Sequence, residues 1–154
     1  MKQWESSQAV ERLYLRALRV YEEAWGPKHM STLETVDNLG TLYANQGRIQ
    51  EAETVYQRAL AGKEETWGLK HTSTLDTVNN LGNLYANQGR MQEAEEMYLR
   101  ALRGYEEAWG PKHMSTLNTV NNLGRLYSRQ QPRAGGGRNI HASTRGIPER
   151  RRRP

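Results

Sequence analysis

The chain has 154 residues, enough for about one domain. Its composition, with 36% hydrophobic and 25% charged residues, is compatible with a folded domain but is more polar than that of an average one. It has no cysteine, which excludes disulfides and thiolate chemistry, and no apolar run near the ~18 residues of a membrane span. The net charge of +5 is uneven: residues 128–154 hold 8 arginines and one glutamate, whereas residues 1–127 hold 14 basic and 16 acidic residues, so the body carries no basic footprint for nucleic acid.

A repeat of 42 residues organises the chain. Three residue types recur at this spacing: Trp25, Trp67 and Trp109; His29, His71 and His113; and Gly40, Gly82 and Gly124. Residues 25–66 and 67–108 are identical at 30 of 42 positions, which chance does not produce. A repeat of this length predicts stacked copies of one supersecondary unit.

Apolar residues at helical spacing predict two types of helix that alternate along the chain. A second-type helix over about 7–24 comes first, followed by a first-type helix over 31–45 and a second-type helix over 49–66. Both recur one period later, and a last first-type helix covers about 115–127. Ser31 and Glu34 have the spacing of a capping box, and Gly47 can end the first-type helix in the left-handed conformation.

Small residues on one helix and tyrosines on the other predict that the two helices of a unit approach closely. Gly40, Ala52 and Ala59 would give room to Tyr43 and Tyr56. Glycines inside the second-type helices, at 62 and 104, cost roughly 1 kcal/mol each against alanine, which close packing of a neighbouring helix would explain. One hairpin cannot bury its apolar stripe alone, so an all-α solenoid of stacked hairpins is predicted.

The unit resembles a tetratricopeptide repeat. Leu39-Gly40-x-x-Tyr43, followed by Ala52-x3-Tyr56 and Ala59, matches the signature of that family, and the match recurs one period later. The 42-residue length and the Trp-Gly-Pro-Lys-His link are similar to the repeats of kinesin light chains, and to repeats placed behind NB-ARC nucleotide-binding modules. The resemblance covers about residues 8–127. It departs from the ordinary unit where Val10 replaces a small residue and where glutamates at 64 and 106 replace the closing proline.

The resemblance implies a superhelical array over residues 1–128, with two whole hairpins between two half repeats. Residues 129–154 are rich in glycine and arginine and are expected to be a disordered tail. The chain is then part of a longer array or a non-functional fragment of one. The absence of cysteine and of an apolar signal sequence in residues 1–7 favours a cytoplasmic location.

The candidate binding surface is the polar face of the first-type helices, which the resemblance places on the concave side of the array, where partner peptides bind. Its members are Glu34, Asp37, Asn38, Thr41 and Asn45, then Asp76, Asn79, Asn80, Asn83 and Asn87, then Asn118, Asn121, Asn122 and Arg125. Asparagine both donates and accepts hydrogen bonds, so such a ladder can hold the backbone of an extended peptide. The alternative is a solvated helix face, but asparagine is a poor helix former, and its recurrence favours use in binding.

The remaining conspicuous residues favour structural roles. The tryptophans are expected to seal the joints between units, and the histidines to stabilise the links, because neighbours ~10 Å apart cannot share a metal. The glycine run at 135–137 lacks the lysine and the preceding strand of a phosphate loop. No catalytic activity, cofactor or metal is therefore expected.

Two further interactions stay open. The arginines at 150–153 could attract nucleic acid or a nuclear-import receptor, although no aromatic residues accompany them for base stacking. The last helix also carries an apolar stripe made for a second-type helix, namely Leu117, Val120, Leu123 and Tyr127. Head-to-tail docking of a second copy would cover it, and we expect charged substitutions at Leu123 and Tyr127 to suppress such self-association.

Overall fold

The computed structural model describes residues 3–131, with side chains from residue 5 onward. The described residues form six helices and no strand: α1 (Gln3–Trp25), α2 (Met30–Asn45), α3 (Ile49–Trp67), α4 (Thr72–Asn87), α5 (Met91–Trp109) and α6 (Met114–Gln130). The predicted all-α fold class and the alternation of two helix types are confirmed. The predicted disordered tail beyond residue 131 and the arginine cluster at 150–153 lie outside the described residues.

The helix bounds differ from the prediction at both ends of the array. α1 begins at Gln3 rather than near residue 7, because Glu5 stands where the complete unit has Gly47 and its helix-ending positive φ of 76°. α6 runs three residues past its predicted end and through the predicted domain boundary at 128. No glycine or proline interrupts the chain there until Pro132, which cannot continue a helix.

A histidine caps the N-terminus of each first-type helix in the described residues. The Nδ1 atoms of His29, His71 and His113 accept a hydrogen bond from the backbone N–H two residues on, at 3.1 to 3.3 Å. Ser31, the proposed start of a capping box, is instead the second residue of α2 and donates its N–H to His29, so that prediction was wrong. The predicted stabilising role of the histidines in the links is confirmed, because each satisfies an otherwise free helix N–H.

Trp25 and Trp109 pack on these histidines rather than sealing the joints. The ring centroids of Trp25 and His29 lie 4.8 Å apart, and those of Trp109 and His113 lie 4.2 Å apart. Trp25 is nevertheless 57% exposed and Trp109 is 44% exposed, so the expected seal was wrong for both. Their contribution is local, since each indole covers the histidine that begins the next helix.

The two helices of a hairpin approach each other through glycine, as predicted. A three-residue turn joins α2 to α3, which makes the two helices antiparallel neighbours. A Cβ atom on Gly40 would lie 2.5 Å from the ring of Tyr56, and one on Gly62 would lie 2.6 Å from Leu33 Cδ2. A Cβ atom at either position would therefore force the neighbouring side chain to move, and the same contacts recur between α4 and α5.

We predict that Gly40→Ala destabilises the protein by about 1–2 kcal/mol, because overpacking costs ~1–3 kcal/mol and the gain in helix propensity offsets part of it. Gly124 is a matched control: it holds the same position in α6, but nothing lies within 4 Å of an added Cβ atom. Gly124→Ala should stabilise by about 0.5–1 kcal/mol. Urea unfolding followed by tryptophan fluorescence measures both changes. Equal effects of the two substitutions would contradict the packing argument.

A buried ion pair couples the first complete hairpin to the second. Lys63 Nζ on α3 lies 2.5 Å from Asp37 Oδ2 on α2, and it donates to Thr77 Oγ1 on α4 at 3.0 Å. Thr77 in turn donates to the same oxygen of Asp37 at 2.7 Å. Lys63 is only 2% exposed, so its charge depends on this carboxylate.

The next joint replaces this ion pair with neutral groups. Asn79 and Tyr105 hold the positions of Asp37 and Lys63, one period later. The Tyr105 hydroxyl donates to Asp76, and Thr119 makes a long contact of 3.5 Å to Asn79 Oδ1. These two joints therefore stack helices of the same types with different chemistry.

This difference supplies a test within the chain itself. Asp37→Ala should destabilise by about 3 kcal/mol or more, because it leaves the Lys63 ammonium buried without a counter-charge. The double variant Asp37→Asn with Lys63→Tyr copies the neutral joint and should stay within about 1 kcal/mol of the unsubstituted protein. Thermal unfolding by circular dichroism compares the two, and a single variant as stable as the double would show that the pair is not needed.

Candidate functional site

The three first-type helices border a groove of about 360 Å³. Its polar lining comes from Thr41, Asn45, Asn80, Asn83, Asn87, Asn122, Arg125 and Arg129, and Tyr56 and Tyr98 reach it from α3 and α5. The apolar lining consists of Ala44, Leu84, Ala86 and Leu126. The site thus spans all three units, because each first-type helix contributes its C-terminal half.

Half of the predicted site residues come together in this groove. The seven that line it are Thr41, Asn45, Asn80, Asn83, Asn87, Asn122 and Arg125. The seven that lie outside its lining are Glu34, Asp37, Asn38, Asp76, Asn79, Asn118 and Asn121. The predicted gradient from acid to base is therefore absent from the groove, since its acidic members lie elsewhere.

Three of the outlying residues are held by neighbouring helices. Asp37 is buried against Lys63, so its assignment to a peptide-binding face is corrected to a role in stacking. Asp76 accepts from the Tyr105 hydroxyl, and Asn79 Oδ1 receives the amide of Asn122 at 3.4 Å. Helices stacked on a first-type helix cover part of its polar stripe, and spacing along one helix does not reveal which part.

The sequence reasoning missed Arg129 because it ended the last helix at residue 127. The repeat register contained the signal, since Arg129 holds the position of Asn45 and Asn87. Tyr56 and Tyr98 were assigned only to packing. Both rings are buried, yet both also border the groove.

The tyrosine hydroxyls fix polar groups of the groove. Tyr56 Oη lies 2.8 Å from Thr41 Oγ1, and Tyr98 Oη donates to Asn83 Oδ1 at 2.5 Å. Burial raises the pKa of Tyr56 and of Tyr98 above the ordinary tyrosine value. Both hydroxyls therefore stay protonated at neutral pH, and the Asn83 amide keeps its N–H₂ group for another acceptor.

The charge of the groove lies at its α6 end. Arg125 and Arg129 are the charged residues among the described lining, and no carboxylate accompanies them. Arg125 donates to Asn122 Oδ1 at 2.6 Å, which holds the guanidinium over the groove. A guanidinium retains further donors after one such bond, so this end suits a carboxylate.

Three amides of the lining are free to bind. Asn45, Asn80 and Asn87 make no hydrogen bond to another residue of the described part of the chain. Each offers two donors and an acceptor, which are the groups that an extended polypeptide backbone requires. Arranged on successive helices, they form a surface with little demand on the side chains of its ligand.

The described residues hold no constellation for metal or membrane chemistry. No group of three histidine, aspartate or glutamate side chains within residues 3–131 is arranged to hold a metal ion. None of the six helices combines the length and the apolar character needed to cross a bilayer.

Comparison with known proteins identifies the fold. No curated protein sequence matches the chain significantly. BtubC (BKLC) of P. vanneervenii superposes with a TM-score of 0.74 at 20% identity, covering 98% of this chain and 63% of that one. A Podosopora anserina kinesin light chain-type protein with nearly identical TPR-like repeats superposes with a TM-score of 0.67 at 20% identity, covering 92% of this chain and 76% of that one. The present chain thus spans less than two thirds of BtubC.

The family model for the tetratricopeptide repeat matches residues 9–65 and 73–134, which together make up most of the chain. Tetratricopeptide repeats form a family of scaffolds for protein interactions. The hairpins contain the signature residues, and their helices approach each other through glycine. Together with this match, these observations show that the chain belongs to the tetratricopeptide repeat family.

Proposed function

We propose that the chain binds an extended segment of a partner protein in the groove between α2, α4 and α6. The observation that carries this proposal is the row of unpaired amides on successive helices. Asn45, Asn80 and Asn87 have no intramolecular partner among the described residues, and a polypeptide backbone satisfies both their donors and their acceptors.

The charges of the groove favour a segment with a carboxylate near one end. Arg125 and Arg129 attract such a group at the α6 end, and the rest of the lining is neutral. Apolar contacts with Leu84 and Leu126 give the segment a second, less directional anchor. Binding should therefore weaken with salt, because part of it rests on exposed charges.

The wider role that we propose is that of an adaptor. The 42-residue repeat resembles the cargo-binding repeats of kinesin light chains, and a kinesin light chain-type array is among the structural neighbours. Repeats of NB-ARC signalling proteins remain the alternative setting. In either setting, the groove would hold one polypeptide while the rest of a larger assembly acts on it.

Selection of peptides from a random library tests the groove. Peptides selected on the unsubstituted protein should bind at least about tenfold more weakly to a variant with Asn80→Ala and Asn87→Ala, which removes two free amides. The matched control is Asn118→Ala with Asn121→Ala, on exposed asparagines outside the lining. Fluorescence anisotropy measures both affinities. Equal losses in the two variants, or none in either, would exclude the groove as the binding site.

We propose head-to-tail self-association as a second function, because matching helix faces are uncovered at the two ends of the described array. Leu117 and Val120 on α6 are 50% and 47% exposed. Leu13 and Val20 on α1 are 62% and 54% exposed. Leu123, suggested above as a site for charged substitution, is instead buried within the protein, so a charge there would unfold the helix.

The corrected probe is Leu117→Asp. The unsubstituted protein should show a sedimentation coefficient that rises with concentration, and Leu117→Asp should stay monomeric, since a charge in an apolar interface costs more than the contact gains. The control is Met30→Asp, which adds the same charge at another exposed apolar position, at the start of α2. Identical behaviour of both variants would contradict a joint at α6.

A further inference from the structure

The uncovered face of α6 is a copy of a face that is covered inside the same chain. Residues 114–127 and 72–85 agree at 11 of 14 positions. In α4, Leu75 and Val78 are 1% and 0% exposed. Their counterparts in α6, Leu117 and Val120, are about half exposed. The α6 helix thus has a face that matches a helix like α5, and no helix within the described residues covers it.

The described residues also contain a second helix of that kind. Residues 14–25 of α1 are identical to residues 98–109 of α5 except at one position, where Val20 replaces Gly104. In α5 this segment buries Ala101 and Tyr105 to 0% and 2% exposure, and both pack with Leu75 and Val78 of α4. The α1 helix of a second copy is therefore the occupant that best fits the face of α6.

The positions of charged residues also favour this pairing of α6 with the α1 helix of a second copy. Arg58 pairs with Glu22, and one period later Arg100 pairs with Glu64 at 2.7 Å. One further period brings Arg16 of a second copy to Glu106. Neither of these two side chains forms an ion pair within the described part of its own chain.

The second recurrent pair extends in the same way. Lys28 pairs with Glu65 at 2.6 Å, and Lys70 pairs with Glu107 at 3.2 Å. One period later, Lys112 meets Glu23 of the second copy. Such exposed pairs add little affinity, but they favour one orientation and one register over others.

One residue opposes the joint. In both complete hairpins the position of Val20 is glycine, and an added Cβ atom would lie 2.6 Å from Leu33 at Gly62 and 2.3 Å from Leu75 at Gly104. In the joint, Val20 would bring a Cβ atom and two methyl groups against Leu117. The helices must then separate or Leu117 must leave its position, and either change loses contacts.

We infer that Val20 sets the strength of the head-to-tail joint between α6 and the α1 helix of a second copy, keeping it weaker than the hairpins within the chain. This inference rests on the proposed self-association. A head-to-tail contact does not close on itself, so a tight joint would build open filaments. With valine at position 20, the same geometry yields weak association instead.

The test is a series at position 20 in the full chain, measured by sedimentation velocity over a range of concentrations. Val20→Gly should tighten association at least about tenfold, and Val20→Ala should lie between, because alanine retains the Cβ atom. Nonspecific hydrophobic association predicts the opposite order, since both substitutions remove exposed apolar surface. Arg19→Gly is the control: it weakens the helix at least as much, at a neighbouring exposed residue, and should not tighten association.

A second substitution assigns the effect to the joint. Leu117→Asp in the Val20→Gly background should return the protein to a monomer, and circular dichroism of each variant at low concentration checks its fold. Association of Val20→Gly that survives Leu117→Asp would overturn the inference. Association of the unsubstituted protein that Val20→Gly leaves unchanged or weakens would overturn the role of Val20 but leave self-association standing. Monomers throughout would overturn both.

Association of the Val20→Gly variant alone is a further possible outcome. If only Val20→Gly associates, and Leu117→Asp abolishes that association, then Val20 opposes the joint as inferred, but it prevents self-association of the unsubstituted protein instead of weakening it.

Discussion

The close approach of two helices through glycine is the constraint on which this structure depends. Gly40 admits the ring of Tyr56, and Gly62 admits the side chain of Leu33, so the two helices interlock at both ends of their contact. The Tyr56 ring packs against α2 at Gly40, and its hydroxyl lies 2.8 Å from Thr41 Oγ1 at the groove. The contact between Gly40 and Tyr56 therefore serves both the packing of the hairpin and the position of a hydroxyl at the groove.

Stacking of hairpins is less strictly determined than the hairpin itself. The first joint buries an ion pair between Asp37 and Lys63, whereas the second uses Asn79 and Tyr105 at the same positions. A buried ion pair is weak evidence of stability, because desolvation consumes much of its attraction. Its clearer effect is on contacts between hairpins: Thr77 on α4 accepts from Lys63 and donates to Asp37, so the second hairpin is tied to both members of the pair.

The sequence was sufficient for the fold because the repeat supplies several independent copies of the same signal. Glycine and alanine at fixed positions predicted the close packing, and the contacts at Gly40, Gly62 and Gly104 confirm it. Local signals were less reliable. The serine at position 31 matched a helix cap, but the preceding histidine takes that role, since its extended backbone and ring nitrogen satisfy the same N–H group.

The candidate site was only half predictable because a helical spacing defines a face and not its surroundings. Asp37 and Asn45 share the polar stripe of α2, yet one is buried by the next hairpin and the other is exposed. The difference arises from contacts with neighbouring helices: Asp37 meets Lys63 on α3 and Thr77 on α4, whereas the Asn45 side chain has no such partner. Arg129 was missed for another reason, since the end of a helix without a glycine is set by the first following proline.

The proposed joint between copies would also extend the groove. In a joint between α6 and a second copy's α1, the α2 helix of that copy follows in the place of a next unit, so its Asn45 continues the series of Asn87 and Arg129. A long partner segment would then contact both copies, and its second contact would be intramolecular, with a high effective concentration. Weak association of the copies and weak binding of the segment would strengthen each other by equal factors, because linkage between two binding equilibria is reciprocal. A joint kept weak by Val20 therefore has a specific consequence: copies would assemble on a partner that spans them and separate when it leaves.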